Sequence, residues 1–491
     1  MAEPPTMDWY PLVLLGLGIG LISWLLVYWR LNAFLALLLA ALVVGLLSPR
    51  VIYRAEPGRE RVLALERVPG EVARGFGETM GSIGIVIALA TIVGRAMTES
   101  GSAERIVRSS LRLFGPEGAG EALLVAAFIL GIPVFFDTVF LILAPLVLAL
   151  ALRRPEKYLS YIMAVAAGAG ITHSLVPPTP GPLTVSVRLH VDLGLAIQMG
   201  VLVAAPLAVI GFLYGVWMNR QYPVPLRLDD AAKKQSLEMQ MQRPDKELPH
   251  LAWALCPILL PLVLINLPTL SRVFAGNASQ STWWLALVSF AGERNIALLV
   301  SALVALWLTA RQQRWGRSEL ARFTASALDE AGMILLITSA GGAFGKMLQH
   351  VGVGESISLA AQHLGIPVLV LAWGLTAMLK IAQGSATVAM ITTCDIVRDA
   401  LARQLGLPVE QLTATEMTQV LGYHPVYLML AIGCGSKIGS WMNDSGFWVV
   451  CRASYLTEVE TLRSWTIGLV LMGVAGLPFV WLLATYWPHP L

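Results

Sequence analysis

Asp137 stands inside GIPVFFDTVFLILAPLVLAL (131–150), part of an apolar run from about Ala122 to Leu152. A carboxylate in such a run costs about 2.5–3.5 kcal/mol on insertion scales. Held by a basic partner, it would serve structure. Left to gain and lose a proton in a dry cavity, it would couple transport to a proton gradient, and intramembrane ionisable groups default to such roles. His173 precedes the Pro-rich stretch THSLVPPTPGP (172–182). It is either a hydrogen-bonded core residue or a second proton carrier, because imidazole ordinarily titrates at about 6.5.

Two further constellations carry polar chemistry at apolar positions. Gln383-Gly384-Ser385-Ala386-Thr387 offers an amide, hydroxyls and free backbone groups in the middle of the run 364–394. Small residues there allow close helix packing, but Gly-Ser also suits a hairpin tip. The backbone N–H groups of a half-helix start would then face an anionic carboxylate. Asn443-Asp444-Ser445-Gly446 follows the same logic, with Asp444 either an N-cap for a helix starting near Phe447 or a second buried acid. Thr138, Thr179, Ser385, Thr387 and Ser445 are the candidate hydroxyls for a substrate. Lys380 lies deep in the second run, where it would pair with Asp137 or Asp444 or attract an acidic substrate. Lys437 lies nearer a span end and could snorkel. No Walker A loop indicates ATP drive, and the four cysteines, Cys256, Cys394, Cys434 and Cys451, form no C-x-x-C pair. No cofactor or metal is expected.

The elements that must position these residues are membrane spans. The chain of 491 residues is 56% hydrophobic and 13% charged, against about 25% charged in soluble domains. The net charge of +3 is spread over loops, so no nucleic acid partner is expected. The segment 11–29 lacks a basic flank and an A-x-A site, so it reads as an uncleaved span. Apolar windows place further spans near 31–48, 81–97, 157–175, 195–218, 251–270, 283–309, 330–348, 424–439 and 463–486. The runs 122–152 and 364–394 are too long for one crossing. Thirty residues as a straight helix extend about 45 Å against a core of about 30 Å. Each is broken in the middle, so each should be a re-entrant hairpin or broken helix, buried in protein or lining a wet cavity. Breaks at 172–182 and 435–448 follow them in order. Asn277-Ala278-Ser279 fits a glycosylation acceptor, a pattern common by chance.

The two halves look alike. Residues 330–357 align without gaps on 79–106, placing Gly345 on Gly94, Lys346 on Arg95, Gly352 on Gly101 and Glu355 on Glu104. Matched interrupted segments in corresponding halves point to a carrier site at a repeat interface. The chain divides into 1–75 (first spans and linker), 76–219 (first repeat), 220–329 (basic loop and linking spans 251–309) and 330–491 (second repeat). Lys/Arg-rich loops 153–157, 220–250 and 310–322 place that side in the cytoplasm. Loop 49–74, with Arg50, Arg54, Arg59, Arg61, Arg67 and Arg74, runs against this orientation. Under it, the spans 81–97 and 330–348 cross in opposite directions, as in inverted-topology carriers.

At these four interruptions the chain resembles the gluconate:proton symporter, or gluconate permease, family. GIPVFFDTVFLILAPL, HSLVPPTPGPL, QGSATVAMIT and NDSGFW carry the resemblance, which extends from about residue 10 to the C-terminus. It implies a multi-pass carrier of the bacterial inner membrane that imports sugar acids with protons by alternating access, its two hairpins facing each other. It places Asp137 at the family's acidic position, Gln383 to Thr387 on its Gln-Gly-Ser-Ala-Thr, and Asn443 and Asp444 on its Asn-Asp pair. Lys380 stands where Arg is common, and Lys437 replaces an apolar residue.

The sequence therefore predicts an all-α polytopic membrane protein, an inverted repeat of two halves. Each half would hold a re-entrant hairpin or broken helix and a discontinuous span. It would move a small organic anion with protons, in contact with membrane lipid, and is compatible with a homodimer. Asp137, His173 and Asp444 are the proton-coupling candidates. Thr138, Thr179, Lys380, Gln383, Gly384, Ser385, Thr387, Asn443 and Ser445 are the substrate-binding candidates. The alternatives are a sodium-coupled carboxylate carrier or sodium/proton antiporter, an intramembrane enzyme using Ser385, His173 and Asp137, and a receptor without flux.

Overall fold

The computed structural model describes residues 9–54, 62–63, 65–115, 117–227, 244, 247–275, 283–356, 359 and 365–489. The glycosylation triplet 277–279 lies outside them, as does most of the basic loop 220–250. Helices dominate; among the described residues the extended structure is a two-residue antiparallel pair, Tyr53–Arg54 with Val62–Leu63. Eight described helices are long and apolar enough to cross a bilayer, so the molecule is a polytopic helical membrane protein. Its outward faces carry exposed Leu213, Leu303, Trp217 and Trp307, as lipid contact requires.

Two long helices, Arg67–Glu99 and Arg317–Val351, form the central crossing. They run antiparallel: Gly75 lies against Ala343 and Lys346, Thr79 against Gly342, and Arg95 against Ser326 and Glu330. Small residues let the backbones approach. A β-carbon on Gly75 would come within 2.8 Å of Lys346 Cβ. Left-handed Gly101 (φ 78°) follows the first helix and Gly352 (φ 90°) caps the second.

The run 122–152 folds as a hairpin, Ala119–Leu130 and Phe136–Arg153. Pro133 lacks an N–H and disfavours helix at the residue before it, so the chain turns between Gly131 and Phe135. The first arm runs parallel to Tyr158–Leu175, with Gly120 near Tyr161, Leu124 against Gly168 and Gly131 against Thr172. The second arm returns through Pro155–Lys157 to begin that same helix. Both feet therefore lie at one end. Arg154 clamps them, donating to Glu117 at 2.5 Å.

The second run folds as Val368–Gln383 and Ala386–Leu405. Gly384 (φ 78°) makes the tip, packed against the Asn443 backbone where a side chain would not fit. Ser385 caps the second arm by accepting Val388 N–H at 3.3 Å. This arm continues to Leu405, well beyond residue 394, because its last turns are amphipathic rather than apolar.

Each hairpin is followed by a broken span. Tyr158–Leu175 stops at the Pro177-Pro178 break and resumes as Pro180–Arg188. His173 is thus still helical. Val426–Gly435 is a ten-residue half-helix rather than a full span, resuming as Ser445–Ala453 after a break at 436–444. The expected single span 283–309 is two helices, Trp283–Ala291 and Arg294–Gln313. Gly292 fits closely against Pro268 there, and Glu293 caps the second helix through Asn295 and Ile296 N–H at 2.9 and 3.2 Å.

Candidate functional site

Both hairpin tips and both breaks meet at one cavity of about 540 Å³. Four half-helices begin on its wall: Phe136–Arg153, Pro180–Arg188, Ala386–Leu405 and Ser445–Ala453. Each helix N-terminus carries roughly half a positive charge and unpaired N–H groups. Four of them around one space make it receptive to an anion.

Two lysines and two aspartates add fixed charge. Lys380, 2% exposed, donates to Asp444 Oδ2 at 2.6 Å and to the Gly384 carbonyl, tying the second hairpin's tip to the second break. Asp444 also accepts from Ser440 Oγ and caps its own helix through Gly446 N–H at 3.1 Å. Trp465 Nε1 donates to Ser440 Oγ at 2.9 Å, extending the chain of contacts. Lys437 is buried and donates to the Gly170 carbonyl at 2.8 Å. Asp137 sits in the first turn of its half-helix on the cavity wall.

Several polar atoms on this wall are buried without a partner among the described residues: both ends of the Gln383 amide, Asn443 Oδ1 and His173 Nδ1. Each such group costs about 1–3 kcal/mol unless something meets it. A primary amide can donate twice and accept twice, so Gln383 suits a hydroxylated ligand or ordered water. The Asn443 amide nitrogen is already committed, donating to the Ile381 carbonyl at 2.8 Å.

Of the residues singled out from sequence, Asp137, Thr138, His173, Lys380, Gln383, Gly384, Ser385, Thr387, Asn443, Asp444 and Ser445 line this cavity. Thr179 does not. It is buried, and its hydroxyl turns back to the Val176 carbonyl at 2.7 Å, while Pro180 takes the place on the wall. Lys437 is a wall residue rather than a snorkelling one. Glu330 and Trp465 also line the cavity, and neither is marked by its sequence context. Glu330 sits in an ordinary amphipathic stretch, and Trp465 in a span whose apolar pattern hides it. Among the described residues no hydrogen bond joins Ser385, His173 and Asp137 into a nucleophile, base and orienter. The Ser385 hydroxyl accepts from Val388 instead.

Interrupted helices around a central cavity lined by Asp137, Lys380, Gln383 and Asp444 define a membrane carrier architecture. The solved structures agree at the level of fold. The Alcanivorax borkumensis YdaH transporter aligns with a TM-score of 0.59 at 14% identity, covering 95% of this chain and 99% of its own. Neisseria gonorrhoeae MtrF, described as one of a class of antimetabolite efflux pumps, aligns at 0.56 and 14%, covering 94% and 96%. In sequence, residues 10–486 match the GntP family permease, and the chain belongs to that family. A gluconate permease of Pseudomonas aeruginosa is 33% identical over 95% of both chains. One of Zymomonas mobilis is 30% identical over 91% of this chain and 92% of its own. The Escherichia coli inner membrane permease YgbN is 30% identical over 94% and 96%.

Proposed function

We propose that this protein is a secondary carrier that takes up gluconate or a related sugar acid together with protons across a bacterial inner membrane. The observation that carries this is the convergence of four half-helix N-termini on a cavity walled by Gln383, Thr387 and Asn443. The dipoles attract the carboxylate, and the amides and hydroxyls meet a polyol chain. At about 540 Å³ the space falls in the 300–1,000 Å³ range of small-molecule sites. Relatives named as gluconate permeases and an inner membrane permease support the cargo and the location. That the family and its named relatives are permeases favours a carrier over an enzyme.

Asp137 is the first candidate for the coupling group, with His173 and Asp444 behind it. Asp444 is engaged by Lys380 and Ser440, whereas Asp137 has no hydrogen-bond or ion-pair partner among the described residues and faces the cavity. An inverted repeat would supply alternating access by rocking one half against the other. The antiparallel crossing supports it. The 79–106 and 330–357 alignment makes Arg95 and Lys346 equivalent, and Arg95 meets Ser326 as Lys346 meets the corresponding Gly75. These contacts centre on Ile85 and Leu336. The hairpins fall at the same spacing as the aligned segments.

The test is uptake in proteoliposomes, using radiolabelled sugar acids, hydroxy acids and D-amino acids under an imposed pH gradient, with and without sodium. Gluconate or a near relative should accumulate when the outside is acidic, independently of sodium. Dependence on sodium at fixed pH would replace the proton. Asp137→Asn should lose gradient-driven accumulation while keeping some exchange; unchanged accumulation would remove Asp137 from the coupling role.

A further inference from the structure

A second ion pair, its aspartate buried and its arginine half-buried, lies between the cavity and the feet of the second hairpin. Arg188, the last residue of Pro180–Arg188, forms an ion pair with Asp395 on Ala386–Leu405. The two helices run side by side away from the cavity, with Gly181 against Thr387 and Met390. Asp395 is eight residues, about 12 Å, beyond Thr387 on the cavity wall. Arg188 also donates to Thr79 Oγ1 at 2.7 Å on Arg67–Glu99. Thr79 is six residues, about 9 Å, from the centre of the long-helix crossing.

The pair has unused capacity. Asp395 is 6% exposed, and its Oδ2 has no partner among the described residues. The fully buried hydroxyls of Thr392 and Thr393, on the same helix, have none either. Gly345 faces Asp395 Oδ2 and the Thr392 backbone, and any side chain there would strike the carboxylate. Asp399 lies one turn further, 3% exposed, and accepts from Arg403 at 3.0 Å. It reaches a second cavity of about 320 Å³ walled by Glu71, Lys346, His350 and Glu410. Thr392, Asp395 and Asp399 share one helix face at i, i+3 and i+7, so one arm carries a polar row from near the substrate cavity to the second one.

We propose that Asp395 is a proton relay residue, passing the coupled proton between the second cavity and the substrate cavity. This rests on the proton-coupled reading. A proton from water or from the Asp399 carboxyl forms an O–H bond at Asp395 Oδ2. The ion pair then weakens, and Arg188 stays held by Thr79. On release that O–H bond breaks, and the proton passes to cavity water and Asp137 while Arg188 re-engages the carboxylate. The charged and titratable groups around Asp395 are Arg188, then Cys394, Arg398 and Asp399 on its own helix, with His190 facing Arg398. Arg317–Val351 presents Lys346, whose Nζ turns to Glu78 at 3.4 Å and Glu410 at 3.9 Å. Arg67–Glu99 presents Thr79 and Glu78.

The experiment uses the full chain in proteoliposomes containing a pH-sensitive dye, with gluconate as the probe. Exchange, gradient-driven accumulation and gluconate-dependent proton entry are read for Asp395→Asn, Asp395→Glu and Arg188→Gln/Asp395→Asn. The double variant removes both charges of the pair and strands neither, so it should fold and exchange. Its accumulation and proton entry should fall about a hundredfold, the scale of a lost proton-transfer group, and Asp395→Glu should restore part of both. A double variant that accumulates gluconate and moves protons like the wild type would make the pair structural and overturn the relay. Loss of exchange together with accumulation in the double variant would overturn it too. Wild-type gluconate transport without proton entry would instead overturn the proton-coupled reading beneath it.

Discussion

Lys380 and Asp444 bind two elements through one buried ion pair, so truncating either strands a charge. Lys380→Met should destabilise the protein by about 3–5 kcal/mol, the scale for breaking a buried pair. Thermal unfolding in detergent would read this, and Lys380→Met/Asp444→Asn should recover most of the loss. If the single variant melts like the wild type, the contact is not a stabilising one. Residues of this kind were legible in the sequence because a charge in an apolar run stands out on its cost alone. Arg188 and Asp395 were not, since they lie where hydropathy fades into an amphipathic turn. Thr179 shows the opposite error: a hydroxyl beside a break can serve the break, and this one satisfies the Val176 carbonyl.

The first hairpin depends on its feet as well as its tip. The Arg154 guanidinium beside Glu117 holds its carboxyl down to about 2, below its ordinary value of 4.5. A carboxyl depressed by folding contributes stability that is fully present above 4.5 and is lost as pH falls toward 2. Unfolding temperature should therefore decline across that window, and Glu117→Gln should flatten the decline; equal slopes would mean the clamp adds nothing. The long-helix crossing makes a sharper demand. Gly75→Leu would press a side chain into Lys346 and Ala343, at a cost of about 1–3 kcal/mol for overpacking, measurable as a lower unfolding temperature. Interrupted runs were readable from length against bilayer thickness. The division of 283–309 was not, because Gly292 and Glu293 are a short polar step inside a window averaged over many apolar residues.

At the scale of the molecule, four segments spread over some three hundred residues enclose one space. Their order was visible in the sequence, but their meeting was not, since no local pattern encodes which breaks face each other. Ser445 is exposed at the start of its half-helix, which offers a probe. With the four native cysteines replaced, Ser445→Cys should react with a water-soluble maleimide, and gluconate should slow the reaction severalfold. Labelling indifferent to gluconate would place the cargo elsewhere. The convergent half-helices carry one more consequence. Peptide dipoles have no titration midpoint and no side chain to mutate, so preference for negatively charged cargo is written into the backbone trace. The amides and hydroxyls decorating that trace remain free to vary. Related chains could then diverge in which acid they admit while the sign of what they carry stays fixed, and re-engineering the amides and hydroxyls should redirect selectivity without reversing it.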